Sequence, residues 1–78
     1  MPRFFFHLYD DIVSIDEDGR ELADIKAARD VAVGEAREMM TETILAGRIN
    51  FSHHIDVADE TGALVATVVF RDAVTVEG

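Results

Sequence analysis

Histidines and carboxylates are the side chains in this 78-residue sequence that offer chemistry. His53 and His54 are adjacent in an alternating segment, so on a strand they point to opposite faces and cannot bind one metal ion together. His54 shares its face with Asp56, and His7 can meet both if its strand lies close by. The sequence therefore predicts no established metal site and leaves His7, His54 and Asp56 as candidates. The alternative is a half-buried, structural His53 and a surface His54.

An acidic turn, Ser14 to Gly19, resembles part of a calcium-binding loop, which carries oxygen ligands at alternate positions, a central glycine and a final bidentate glutamate. If Gly19 takes the glycine position, Asp16 and Asp18 fall at ligand positions. The final position is then Ile25, so the bidentate carboxylate is missing. We expect a structural turn.

The sequence lacks a recognisable catalytic arrangement. Its hydroxyl side chains lie in no motif that would activate a nucleophile, and its glycines are too far apart to cradle a phosphate. The absence of cysteine excludes a thiol nucleophile, a thiolate zinc site and a disulfide. We expect no enzyme activity and no cofactor.

The charge balance is strongly acidic, with 16 carboxylates, seven lysines and arginines and a formal net charge of −9. Between Asp10 and Asp24, seven carboxylates face only Arg20, a net of −6. Nucleic-acid binding depends on lysine and arginine contacts to phosphates, so no nucleic-acid partner is expected. The negative charge could attract a basic protein partner, and the alternative is that it serves only to keep the protein in solution.

The segment Phe4–Phe6 opens the longest apolar run near the start, far short of the roughly 20 residues of a membrane-spanning helix. No signal-peptide pattern is present either. Because small secreted domains usually carry disulfides, a cysteine-free chain favours the cytoplasm and no membrane association.

One amphipathic helix is predicted from Ile25 to about Ala46, with Asp24 as N-cap and Gly47 as C-cap. At 100° per residue its apolar stripe contains Ile25, Ala28, Ala32, Ala36, Met39 and Thr43, with Met40 beside it.

Strands are predicted over 3–9, 51–58 and 63–71, and the turn 16–19 joins 12–15 to 20–22 in a short hairpin. The order β-(β)-α-β-β predicts an α+β fold, with the helix on one face of a three- to four-stranded, mainly antiparallel sheet. We place the last strand in the centre, since it carries valine on both faces. Residues 1–78 form one domain, and 72–78 a loose tail.

The sheet face opposite the helix is the most informative surface. By strand alternation it displays Phe5, Tyr9, Val65 and Val69, which are costly to leave in water and indicate an interface. Either a second copy in a homodimer or the loop 12–23 covers them. The sequence thus predicts a non-enzymatic interaction or regulatory module that self-associates, and the alternative is a metal- or ligand-responsive protein using His7, His54 and Asp56.

Three segments also resemble a family of short bacterial domains of unknown function common in rhizobia. The matching segments are the opening Met1–Phe6, the acidic turn continued as Asp16–Leu22, and the helix start Ala27–Arg29. The late turn Asp59–Gly62 fits as well, whereas His7 stands where such proteins often carry an acid. The resemblance implies no activity, cofactor or site residue.

Overall fold

The computed structural model describes all 78 residues and contains one long α-helix, five strands and a 3-10 helix. These are β1 (Arg3–Tyr9), β2 (Val13–Ser14), β3 (Arg20–Glu21), α1 (Ile25–Leu45), β4 (His54–Ala58), β5 (Leu64–Val69) and the 3-10 helix Phe70–Ala73. All strand pairs are antiparallel, and α1 packs on one face of the open sheet. The predicted α+β fold is confirmed.

The sheet order is β2-β1-β4-β5, with β3 also pairing with β1. The predicted central position of the last strand is therefore wrong: β4 lies in the centre and β5 at an edge. The tight turn Asp59–Gly62 makes β4 and β5 a hairpin, and the buried side chains of Ile55 and Val57 place β4 under the helix. The outer valines of β5 are only half-buried, so valine on both faces did not require an interior strand.

The predicted hairpin across the acidic turn is also wrong, because β2 and β3 do not pair with each other. Instead they pair with the two ends of β1, where Ser14 lies opposite Leu8 and Arg20 opposite Phe4. The loop between them therefore runs along the free edge of β1. Its short strands β2 and β3 widen the sheet beyond β1.

The bounds of α1 match the predicted helix closely. The Asp24 carboxylate accepts a hydrogen bond from the Ala27 N–H at 2.8 Å, which satisfies a free donor of the first turn. At the other end, the N–H groups of Gly47 and Arg48 donate to the carbonyls of Ile44 and Thr43. These are the paired hydrogen bonds of a glycine C-cap.

The buried line of α1 is narrower than predicted and consists of Ala28, Ala32, Ala36 and Met40. Ile25, placed on that line by the sequence, is 48% exposed. The four buried residues are spaced by four, and counting back from Ala28 reaches the cap Asp24 and not Ile25.

The core lies between this alanine line and the inner side of the sheet. Its larger members are Phe4, Ile55, Val57, Val68 and Phe70. The loose tail expected from residue 72 does not begin there. Asp72 and Ala73 belong to the 3-10 helix, Ala73 is 1% exposed, and Val74 packs against the core.

Candidate functional site

The outer face of the sheet, opposite α1, holds the residues that the sequence analysis selected. The strand register aligns His7, Asp56 and Thr67 in one row across β1, β4 and β5. The next row contains Tyr9, His54 and Val69. This outer face is the candidate site.

The polar row is connected by short contacts. The Thr67 hydroxyl donates to Asp56 Oδ1 at 2.9 Å, and His54 Nε2 lies 3.6 Å from the same oxygen. His7 is engaged elsewhere, because its Nδ1 accepts a hydrogen bond from the Asp16 N–H at 3.0 Å. A ring nitrogen that accepts is unprotonated, so a neutral His7 carries its proton on Nε2.

The structure therefore brings the three metal candidates onto neighbouring positions without making them a ligand set. No group of three or more histidine, aspartate or glutamate side chains in the chain has the proximity needed to hold a metal ion. Asp56 instead links β4 to β5 through Thr67 and lies close to His54 on its own strand.

The apolar part of the outer face is incompletely covered. The rings of Tyr9 and His54 stack with centroids 4.7 Å apart and planes 5° from parallel. Phe5, Tyr9, Val65 and Val69 are all half-buried and none is fully buried. The loop 12–23 lies along the edge of β1 and reaches this face only at its margin, where the Asp16 N–H contacts His7 and Gly19 lies beside the Phe5 ring.

The acidic turn forms a compact hydrogen-bonded structure around Asp16. Its carboxylate accepts from the N–H groups of Phe6, Asp18 and Gly19, each at 3.1 Å. Burial alone would raise the pKa of Asp16, but these three donors, together with His7, lower it below its usual value. The Phe6 N–H belongs to the free edge of β1, so Asp16 takes the place of a strand between β2 and β3.

A cleft that the sequence analysis missed lies on the helix side of β1. It is lined by Phe6, Leu8, Met39, Ile55 and two glutamates, Glu35 and Glu38, and has a volume of about 230 Å³. Burial raises the pKa of Glu35, partly offset by Arg20, whose Nη2 lies 3.9 Å from its Oε1. The only feature of the sequence that points to this cleft is the position of Glu35, next to the buried alanines of α1.

A second cleft, of about 300 Å³, lies near the C-terminal end of α1. His53 Nε2 lies 3.6 Å from Asp11 Oδ1 there, and the His53 ring meets Phe70 edge-on at 5.7 Å between centroids. Arg48 and Asn50 complete its polar rim. His53 is thus half-buried beside the core, as its structural interpretation predicted.

Fold and site together define a small α+β domain whose helix covers one sheet face and whose other face presents aromatic and aliphatic side chains around a polar centre. No helix of the structure has both the length and the apolar character needed to cross a membrane. The chain belongs to the family described as Domain of unknown function (DUF6894), whose model matches residues 3–71. No curated protein and no solved structure shows significant similarity to it. Membership of a family of unknown function is thereby confirmed, while the bacterial, rhizobial distribution and the particular motif segments stay predictions.

Proposed function

We propose that this domain is a non-enzymatic protein–protein interaction module that self-associates, acting in the bacterial cytoplasm. The observation that carries the proposal is the outer face, where Phe5, Tyr9, Val65 and Val69 are left half-buried by the chain itself. Exposed aromatic and aliphatic side chains are typical of interfaces between proteins, and here they lie on both sides of the polar row His7, Asp56 and Thr67. Its polar centre is satisfied by contacts within the chain, since Asp56 accepts the Thr67 hydroxyl.

Light scattering over a concentration series tests self-association. We expect a mass of twice the 8.6 kDa chain for the wild type, and a shift toward 8.6 kDa for Val69→Asp, which adds a charge to the outer face. Ile44→Glu is the matched control, because Ile44 is 58% exposed on α1, away from that face. A wild type that remains at 8.6 kDa up to about 1 mM refutes the proposal, since any remaining association would then be weaker than about 4 kcal/mol.

The acidic segment Asp10–Asp24 supports a second partner, a basic protein held by charge. Affinity capture from the source cells with the wild type, and with a triple variant Asp11→Asn, Glu17→Gln and Asp18→Asn, tests it. All three side chains are exposed, so the variant should fold. We expect salt-sensitive capture of a basic protein by the wild type alone, and equal capture by both would contradict the idea.

The alternative function, metal or ligand binding through His7, His54 and Asp56, is favoured only by their neighbouring positions on the outer face. Calorimetry with zinc and nickel on the wild type and on His54→Ala separates it from the first proposal. Saturable binding that is lost in the variant would support it. No binding below about 100 μM would end it, because functional sites bind far more tightly.

A further inference from the structure

The two edges of the sheet differ in how far they are blocked against pairing with another strand. At the β1 edge, β2 and β3 are two residues long, and the Asp16 carboxylate accepts the remaining Phe6 N–H. Short strands, bends and charges are the devices by which natural sheets prevent unwanted pairing at an edge. The β1 edge is therefore closed.

The β5 edge has fewer of these devices, and its one irregularity is a register shift opposite Val57 and Ala58, near the start of the strand. β5 pairs with β4 on one side only, and none of the backbone hydrogen bonds outside the regular elements involves Leu64–Val69. No charged residue or proline lies between Ala63 and Phe70. Leu64, at the start of the strand, is 61% exposed.

The backbone orientation of β5 follows from one hydrogen bond. The Phe70 N–H donates to the His53 carbonyl at 2.8 Å, so residues 53 and 70 form a hydrogen-bonded pair. Such pairs alternate along an antiparallel ladder, which makes Ile55 opposite Val68 the next one. The N–H groups of Thr67 and Val69 must then point away from β4, into the open edge.

We infer that this edge pairs with β5 of a second copy, antiparallel, about a two-fold axis at Thr67. The inference rests on the self-association proposed above and places the contact at the β5 edge, beside the outer face, of which Val65 and Val69 lie on this strand. An unpaired strand edge is matched by another extended strand, and an antiparallel strand paired with itself satisfies two-fold symmetry. Val65 then lies opposite Val69 of the second copy, on the same face.

Charge complementarity also favours a second copy. Arg71 follows β5, is exposed, and forms no salt bridge within its own chain. In the paired arrangement it approaches the Asp59–Gly62 turn of the second copy, where Glu60 is exposed. The symmetry repeats the contact at both ends of the interface. The two outer faces become one continuous surface.

Proline scanning of the two edges tests the inference. Thr67→Pro removes the outward N–H but leaves the ladder to β4, which uses residues 66 and 68. Val13→Pro is the matched control. The Phe6 N–H faces away from β4, toward Asp16, and by alternation so does the Leu8 N–H. Leu8 and Ser14 are therefore the hydrogen-bonded pair, and the Val13 N–H faces outward at the opposite edge. We expect the dimer dissociation constant to rise at least about tenfold for Thr67→Pro, because both copies lose a hydrogen bond. Thr67→Val keeps the N–H but loses the hydroxyl bond to Asp56, so it measures how much of the Thr67→Pro effect comes from that bond, and its constant should rise far less.

Cysteine cross-linking gives a second, independent readout in this cysteine-free chain. Directly opposed residues of a hydrogen-bonded pair have Cα atoms about 5.5 Å apart, within disulfide range. Thr67→Cys should therefore form a disulfide-linked dimer with oxidised glutathione, whereas Ser14→Cys, at the β1 edge, should not. This readout remains decisive if the Thr67→Pro variant does not fold.

The outcomes separate the two proposals. If Phe5→Glu dissociates the dimer while Thr67→Pro and Val13→Pro behave alike and Thr67→Cys fails to cross-link, the copies meet face to face. The edge inference is then wrong and the self-associating module stands. A monomeric wild type overturns both.

Discussion

Replacing Gly19 by alanine is the sharpest test of the packing between the acidic turn and β1. Gly19 has φ +70°, in the left-handed region that disfavours residues with a Cβ. A Cβ there would lie 2.9 Å from Arg3 Cγ, from the Phe4 carbonyl oxygen and from Phe5 Cε1. The Phe4 oxygen belongs to the backbone of β1, paired with β3, so it cannot move away cheaply.

The expected loss in free energy of unfolding is the sum of two terms. The left-handed conformation costs alanine about 1–2 kcal/mol, and overlap with fixed atoms costs a further 1–3 kcal/mol, roughly, as in overpacked cores. A total near 3 kcal/mol would lower the melting temperature by about 12–24 °C in a domain of this size. It would remove a large part of the total stability, which is roughly 4–12 kcal/mol for such a chain.

Urea and thermal unfolding followed by circular dichroism measure the loss against a matched control. Gly62 has φ +85° and no atom within 4 Å of its Cβ position, so Gly62→Ala reports the conformational term alone. Gly34→Ala, within α1 and also without neighbours, should stabilise the helix by up to about 1 kcal/mol. If Gly19→Ala costs no more than Gly62→Ala, the acidic turn shifts freely and does not pack against β1 as described.

Three further predictions concern single interactions. Because the folded pKa of Asp16 lies below its usual 3.8, its contribution to stability is present above that value and is lost as the pH falls through the lower folded pKa. Acid titration should therefore show the difference between wild type and Asp16→Asn unchanged down to about pH 5 and still shrinking below pH 3.8. Val57→Ala, at a site 0% exposed, should cost about 2 kcal/mol in urea unfolding, whereas Val76→Ala, at 74% exposure, should change it by less than about 0.5 kcal/mol. Asp24→Ala removes the cap on the Ala27 N–H and should cost about 1 kcal/mol by the same measurement, and an unchanged value would contradict the capping role.

Local patterns allowed the helix and the strand faces to be predicted, because each depends on residues close in sequence. The cap Asp24 and the alternation of Ile55 and Val57 with His54 and Asp56 are of this kind. Strand order depends on pairing between distant segments, so the same residues fit β5 in the centre or at the edge. The tight Asp59–Gly62 turn fixed the β4–β5 hairpin but not which of its strands would meet β1.

For the candidate site too, the features set by local alternation could be predicted and those set by the path of distant segments could not. Strand alternation placed Phe5, Tyr9 and Asp56 on the outer face, as observed. It could not show that His7 Nδ1 accepts the Asp16 N–H, because that contact depends on the path of the loop. The cleft lined by Glu35 and Glu38 could not be predicted either, because it exists only where α1 does not cover β1.

The coverage of the sheet explains why an interaction role fits this domain. A helix is about 10 Å wide and strands lie about 4.8 Å apart, so one helix covers roughly two strands. In this fold those strands are β4 and β5, which α1 contacts most, together with the 3-10 helix. Phe6 and Leu8 on the inner side of β1 and most of the outer face therefore stay partly exposed, whereas Phe4 at the start of β1 is buried. Phe5 and Tyr9 on that outer face are the side chains that a partner would cover in the proposed interaction.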